Sequence, residues 1–178
     1  MSDGLILIDV QRAFYDKRWG NRNNFNAEKN IEKLLTTFRN NNKHIIHIKH
    51  ISMNSTSLFH YSKLQSFLFE PKENEIIIEK NVNSAFIGTN LHSTLQSCGI
   101  KHFTIVGISL PHCVSTTIRM AQNLGYYVDL IEDATISFDL KNHHGQLLKA
   151  RDIHNYNLAS LNNEFANIYS TKSYLNEM

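Results

Sequence analysis

The chain has 178 residues, enough to bury a proper core, and its 42% hydrophobic and 19% charged residues are those of an ordinary globular protein. A net charge of +2, with basic residues scattered rather than in runs, argues against a nucleic-acid partner. Two cysteines, Cys98 and Cys113, make no disulfide framework. No apolar stretch has membrane-spanning length, and no signal-peptide pattern opens the chain, so a cytoplasmic protein without a membrane partner is expected.

Residues 1–178 read as one domain, without repeat, linker or low-complexity segment. The run LILI at 5–8 is continuously apolar, as expected of a parallel strand buried on both faces. Ile31, Leu34, Leu35 and Phe38 then recur at helical spacing, and the asparagines at 40–42 end that helix. HIIHIKHI at 44–51 predicts a second strand. Residues 52–71 have no clear period and read as a long irregular segment or lid. EIIIE at 75–79 predicts a short third strand. Thr89 or Asn90 can cap a helix carrying Leu91, Leu95 and Cys98, with Gly99 as its stop. HFTIV at 102–106 is a fourth strand. Val114, Ile118 and Ala121 follow at helical spacing, and Gly125 closes that helix. YYVDLI at 126–131 is a fifth strand. Leu158, Leu161 and Phe165 mark a last long helix, and 167–170 an edge strand.

Strands alternating with helices predict an α/β fold, a Rossmann-like three-layer sandwich with a mostly parallel central sheet. Sites in such folds form at the carboxyl ends of strands, near the topological switch point. Asp9 ends the first strand, Lys80 ends the third, and Cys113 follows the fourth. A carboxylate, an ammonium and a thiol are thus expected at one rim. At a helix start, Cys113 is expected to have a lowered pKa, which populates its thiolate.

Four segments carry a resemblance across nearly the whole chain. Asp9 lies in a strand followed by D-x-Q-x-x-F, and Lys80 in K-x-x-x-S-A-F-x-G-T-x-L. Cys113 lies in G-x-x-x-x-x-C-V-x-x-T-x-x-x-A-x-x-x-G-Y-x-V, and His154 opens H-x-x-x-L-x-x-L-x-x-x-F-A. In this order and spacing they resemble the isochorismatase-like cysteine hydrolases. The resemblance implies an Asp9–Lys80–Cys113 triad that cleaves a small-molecule amide through a thioester on Cys113. It also implies a cis peptide at Ile108–Ser109, an oxyanion held by backbone N–H groups of Ser109 and Cys113, and a homo-oligomer, dimer or larger. Phe14, Trp19, Ser84, Phe86, His112 and the segment 52–69 are the implied pocket lining. Phe59, Tyr61, Phe67 and Phe69 are expected to cover the mouth or meet a second subunit.

The family usually has a small hydroxyl residue three before the cysteine; here Leu110 stands there, followed by Pro111 and His112. Leu110 is expected to remove a polar group from the pocket's edge. That departure leaves a catalytically silent binding or scaffold protein of the same fold as the alternative. A nicotinamidase-type amidase is a further one, but the D-x-H metal motif of nicotinamidases is replaced by HIKHISMNSTSLFH at 47–60. His47, His50 and His60 have no carboxylate near them in the sequence, so neither metal nor cofactor is expected. A flavodoxin-like nucleotide binder finds no G-x-G-x-x-G after the first strand.

Overall fold

The computed structural model describes residues 2–61 and 65–178. Six parallel strands form one sheet in the order β3-β2-β1-β4-β5-β8. They are β1 (Gly4–Ile8), β2 (His44–His50), β3 (Ile76–Lys80), β4 (His102–Ile108), β5 (Tyr127–Ile136) and β8 (Asn167–Tyr169). Two further strands, β6 (Leu140–Lys141) and β7 (Leu147–Leu148), form a separate antiparallel hairpin. β1 is paired on both edges and wholly buried, which is why its sequence carries no polar alternation.

Alternate residues of β1 serve the two faces of the sheet. Ile6 and Ile8 pack into a core with α2 (Leu91–Ser97) and α3 (Ser115–Asn123). Leu5 and Leu7 pack into a second core with α1 (Ala27–Asn40) and α5 (Thr171–Asn176). In α1, Ala27, Ile31, Leu34, Leu35 and Phe38 supply the buried stripe. The helix α4 (Ala150–Leu161) lies against α3. No helix among the described residues is long and apolar enough to cross a membrane.

The chain runs outward from β1 through β2 to β3, then returns to β4 on the other side of β1. The switch point is therefore the crevice between β1 and β4, at their carboxyl ends. Here the two strands approach closely. Gly107 has φ +139°, and a Cβ at this position would overlap the carbonyl oxygen of Ile8 and lie 2.8 Å from its nitrogen.

Several elements differ from the sequence expectation. β5 continues through Ile136, because its pairing with β4 shifts register after Ile105. The extra carbonyls are taken up from afar. Asn24 Nδ2 donates to the oxygens of Glu132 and Thr135 at 2.8 and 2.7 Å, and Asn30 Nδ2 to that of Asp133 at 2.9 Å. The last long helix ends at Leu161, leaving Phe165 beyond it. Helix α5 and the hairpin were not anticipated. The connection from β2 to β3 carries no helix among its described residues; residues 62–64 of the expected lid lie outside them.

Candidate active site

Asp9 is the first residue beyond β1, with φ +52°. A left-handed backbone at a non-glycine residue is disfavoured, and here neighbouring bonds hold it. The N–H of Asp9 donates to Ile48 O at 3.0 Å. Two residues on, the fully buried Gln11 clamps the end of β2. Its Nε2 donates to the oxygens of His50 and Gln65 at 3.1 and 2.9 Å, and its Oε1 accepts the N–H of His50 at 2.8 Å.

Lys80 is the last residue of β3, in register with His50 at the end of β2. The Lys80 ammonium is buried and donates to Asp9 Oδ2 at 2.7 Å. It also lies 2.9 Å from His50 Nδ1, so that nitrogen is the acceptor and the imidazole proton resides on Nε2. Among the described residues, no hydrogen-bond partner meets the other, buried oxygen of Asp9, Oδ1.

Cys113 sits in a π-type turn at Leu110–Val114 that leads directly into α3. Its sulfur, a carboxylate oxygen of Asp9 and a ring nitrogen of His50 lie within 4.8 Å of one another. The thiol also faces Asn83 Oδ1 at 3.8 Å. Strand ends thus gather Asp9, Lys80 and Cys113 at one rim. The Ile108–Ser109 peptide just before the turn is cis. The carbonyl of Ser109 accepts the N–H groups of His112 and Val114 at 3.2 and 3.3 Å, and its hydroxyl pairs with His112 Nδ1 at 2.9 Å.

The electrostatics overturn the expected thiolate. Burial, and then the charge of Asp9, push the Cys113 thiol up to about 12, outweighing Lys80. The resting residue is therefore a thiol. Burial also raises the Asp9 carboxyl against the opposing pull of Lys80, which makes it a stronger base than an ordinary carboxylate. His50 is lowered to about 4 by burial and by Lys80, and stays neutral. Desolvation lowers His112 as well.

These groups border a cavity of about 200 Å³. Its chemical end is Asp9, His50, Asn83 and Cys113, its opposite wall Phe14, Trp19 and Phe59, and Ser109 and His112 complete the rim. Ser84 and Phe86, expected in the lining, line no part of it. The chain turns after Lys80, so that Ser84 accepts the N–H of Phe86 at 3.3 Å and Phe86 stacks on Tyr126 in the core. Leu110 is likewise fully buried in that core and not at the pocket's edge. Of the expected cover, Phe59 lines the cavity, Phe67 packs its ring against His47, Phe69 joins the second core and Tyr61 is exposed.

Two of the histidines, His47 and His50, have carboxylates that sequence distance concealed. His47 Nε2 pairs with Glu75 at 2.8 Å, while His60 stacks on Tyr61. Asp9, His50 and Cys113 have the donor types of a metal site, but the Lys80 ammonium contacts both Asp9 and His50. That fixed positive charge fills the place a metal ion would take, so the residues do not fit one. Asn83 is a site neighbour that sequence reasoning passed over, and His50 one that it weighed only as a metal ligand. The signal for His50 was its position at the end of β2, one strand away from Lys80.

A parallel six-stranded sheet with helices on both faces and its polar cluster at the switch point defines an α/β protein of the isochorismatase-like hydrolase fold. The Isochorismatase domain model matches residues 3–173, and the chain belongs to that family of hydrolases. It is 45% identical to the isochorismatase family protein YrdC of Bacillus subtilis, over 97% of this chain and 94% of the relative. A protein of known structure assigned to the same hydrolase family, from Chromobacterium violaceum, superposes with a TM-score of 0.95 at 35% identity, covering 98% of this chain and 92% of the other. A shorter similarity, 38% over 66 residues, joins it to a ureidoacrylate amidohydrolase of Variovorax paradoxus, covering 37% of this chain and 26% of that enzyme.

Proposed function

We propose that the protein hydrolyses a small-molecule amide through a thioester on Cys113. The observation that carries this reading is the buried Asp9 carboxylate gathered with the Cys113 thiol, with Lys80 holding its Oδ2 at 2.7 Å. The segmental likeness to an amidohydrolase supports a C–N bond as the target.

A thiol that resists ionisation needs its proton removed as it attacks. Asp9 Oδ1 takes that proton while the Cys113 sulfur bonds to the amide carbon. The negative charge formed on the carbonyl oxygen rests on backbone N–H groups of Ser109 and Cys113. Asp9 returns the proton to the nitrogen, the C–N bond breaks, and the amine or ammonia leaves. Water then attacks the thioester, and Asp9 takes one of its protons. The C–S bond breaks, the sulfur recovers a proton, and a carboxylic acid departs. Lys80 keeps Asp9 oriented throughout and offsets the charge that builds between sulfur and carboxylate. One carboxylate thus serves as base and then acid in each half of the cycle.

The test is mass spectrometry of protein quenched in acid during turnover of an amide. An acyl adduct on Cys113, absent in Cys113→Ala and retained in Cys98→Ala, is the expected result. Asp9→Asn should lower kcat/KM by about 10²- to 10⁴-fold. Ammonia release that survives in Cys113→Ala would refute the thioester.

A further inference from the structure

We propose that Asn83 is a further catalytic residue, whose Oδ1 accepts an N–H of the departing nitrogen and so turns the nitrogen lone pair towards Asp9. This role rests on the amide-hydrolase reading and adds a side chain to its C–N cleavage step.

Asn83 stands on the loop that leaves β3 just after Lys80. It lines the cavity, and its Oδ1 lies 3.8 Å from the Cys113 sulfur. Among the described residues, its side chain bonds to nothing else. Its place is enforced from the core side of the loop. The N–H of Ala85 donates to Thr117 Oγ1 at 3.0 Å, and the Thr89 hydroxyl donates to the carbonyl of Ala85. Thr117 is fully buried in α3, about one helical turn beyond Cys113. The turn and helix that carry the nucleophile therefore also grip the loop that carries Asn83.

Attack of the sulfur leaves the former amide nitrogen pyramidal, with a lone pair and, in a primary or secondary amide, an N–H. The C–N bond breaks once that lone pair has taken the proton from Asp9. Pyramidal nitrogen inverts readily, so an acceptor for its N–H decides where the lone pair points. Asp9 is by then the proton donor. His50 Nδ1 is taken by the Lys80 ammonium, and the Ser109 hydroxyl is paired with His112 Nδ1. Asn83 Oδ1 is engaged only by the thiol, which gives up its proton as it attacks. The acceptor thus becomes free at the step that needs it. Asn83 forms no covalent bond and takes no proton; the proton of Asp9 goes to nitrogen, and the C–N electron pair leaves with it. A contact made only after attack lowers the barrier instead of tightening ground-state binding.

An ester has no N–H on its leaving atom, so amides and esters of one acyl group separate this role from a structural one. The probes are propionamide with methyl propionate, and benzamide with methyl benzoate. Asn83→Leu keeps a branched side chain and removes the acceptor. It should lower kcat/KM for each amide about tenfold and leave each ester within about twofold. Asn83→Asp keeps an acceptor oxygen and should hold the amide-to-ester ratio within about threefold of the parent. Equal losses for amide and ester, no loss for the amides, or a ratio that falls as far in Asn83→Asp as in Asn83→Leu overturns the role of Asn83, while turnover that needs Cys113 leaves the hydrolase reading intact. Hydrolysis of none of the four by the parent, or hydrolysis that survives in Cys113→Ala, overturns the hydrolase reading and the role of Asn83 with it.

Discussion

Lys80 has two neighbours, the buried Asp9 and the half-buried His50, and they do different work. Asp9 is the charged partner at 2.7 Å, and His50 Nδ1 is a neutral acceptor at 2.9 Å. The second contact fixes the direction of the ammonium, and so which oxygen of Asp9 remains free for the thiol. It exists only while the imidazole is unprotonated. With its pKa at about 4 instead of 6.5, His50 contributes stability that is fully present above pH 6.5. That contribution is lost as the pH falls from 6.5 towards 4, since the unfolded chain takes up the proton more readily. Urea midpoints measured across this window should fall more steeply in the parent than in His50→Asn. The asparagine oxygen can stand near the place of Nδ1, so His50→Asn should keep activity within about tenfold of the parent. His50→Phe, which removes the acceptor, should lose about a hundredfold in kcat. Similar activities for the two variants would mean that the acceptor does not position Lys80.

At the level of elements, the site depends on how closely β4 can approach β1. Gly107 lies beside Ile8 in the strand register, with no room for a Cβ. Gly107→Ala must push the strands apart where Asp9 and Ser109 emerge, and should cost about 3 kcal/mol or more in urea denaturation. Gly88 is the control. Its φ of +68° also disfavours alanine, but nothing lies within 4 Å of a Cβ there. Gly88→Ala should cost only about 1 kcal/mol. Equal costs would mean that backbone conformation, rather than strand contact, dominates at Gly107. The same distinction between local and distant causes explains what the sequence revealed. Residues 5–8 read as a strand because burial on both faces leaves a continuous apolar run, and 102–106 because they are rich in residues that favour strands. The second half of β5 did not, since its shifted register depends on Asn24 and Asn30, more than 100 positions away. Asp9, Lys80 and Cys113 were legible as polar residues at strand ends. His50 gains its role only from the β2–β3 register. Ser84 and Phe86 were misread because closeness to Lys80 along the chain was taken for closeness in space.

Across the whole molecule, the two ends of the parallel sheet are put to different uses. The carboxyl ends carry strain, a buried ion pair and a cavity. The amino ends carry closure. Ser2, just before β1, pairs its hydroxyl with Thr104 Oγ1 of β4 and with Tyr174 OH of α5, each at 2.7 Å. Tyr174 also stacks its ring parallel to Phe38 of α1, with centroids 6.4 Å apart. One buried triangle of hydroxyls therefore ties the start of the chain, the middle of the sheet and the last helix together. Tyr174→Phe keeps the stacking and removes one corner of the triangle, while Ser2 and Thr104 still satisfy each other. It should cost about 1 kcal/mol, a fall of about 2–4 °C in melting temperature. Because the triangle lies at the opposite end of the strands from Cys113, kcat should not change at a temperature where both proteins are folded. A drop in kcat without a drop in melting temperature would instead mean that the amino end of the sheet is coupled to the chemistry at the other.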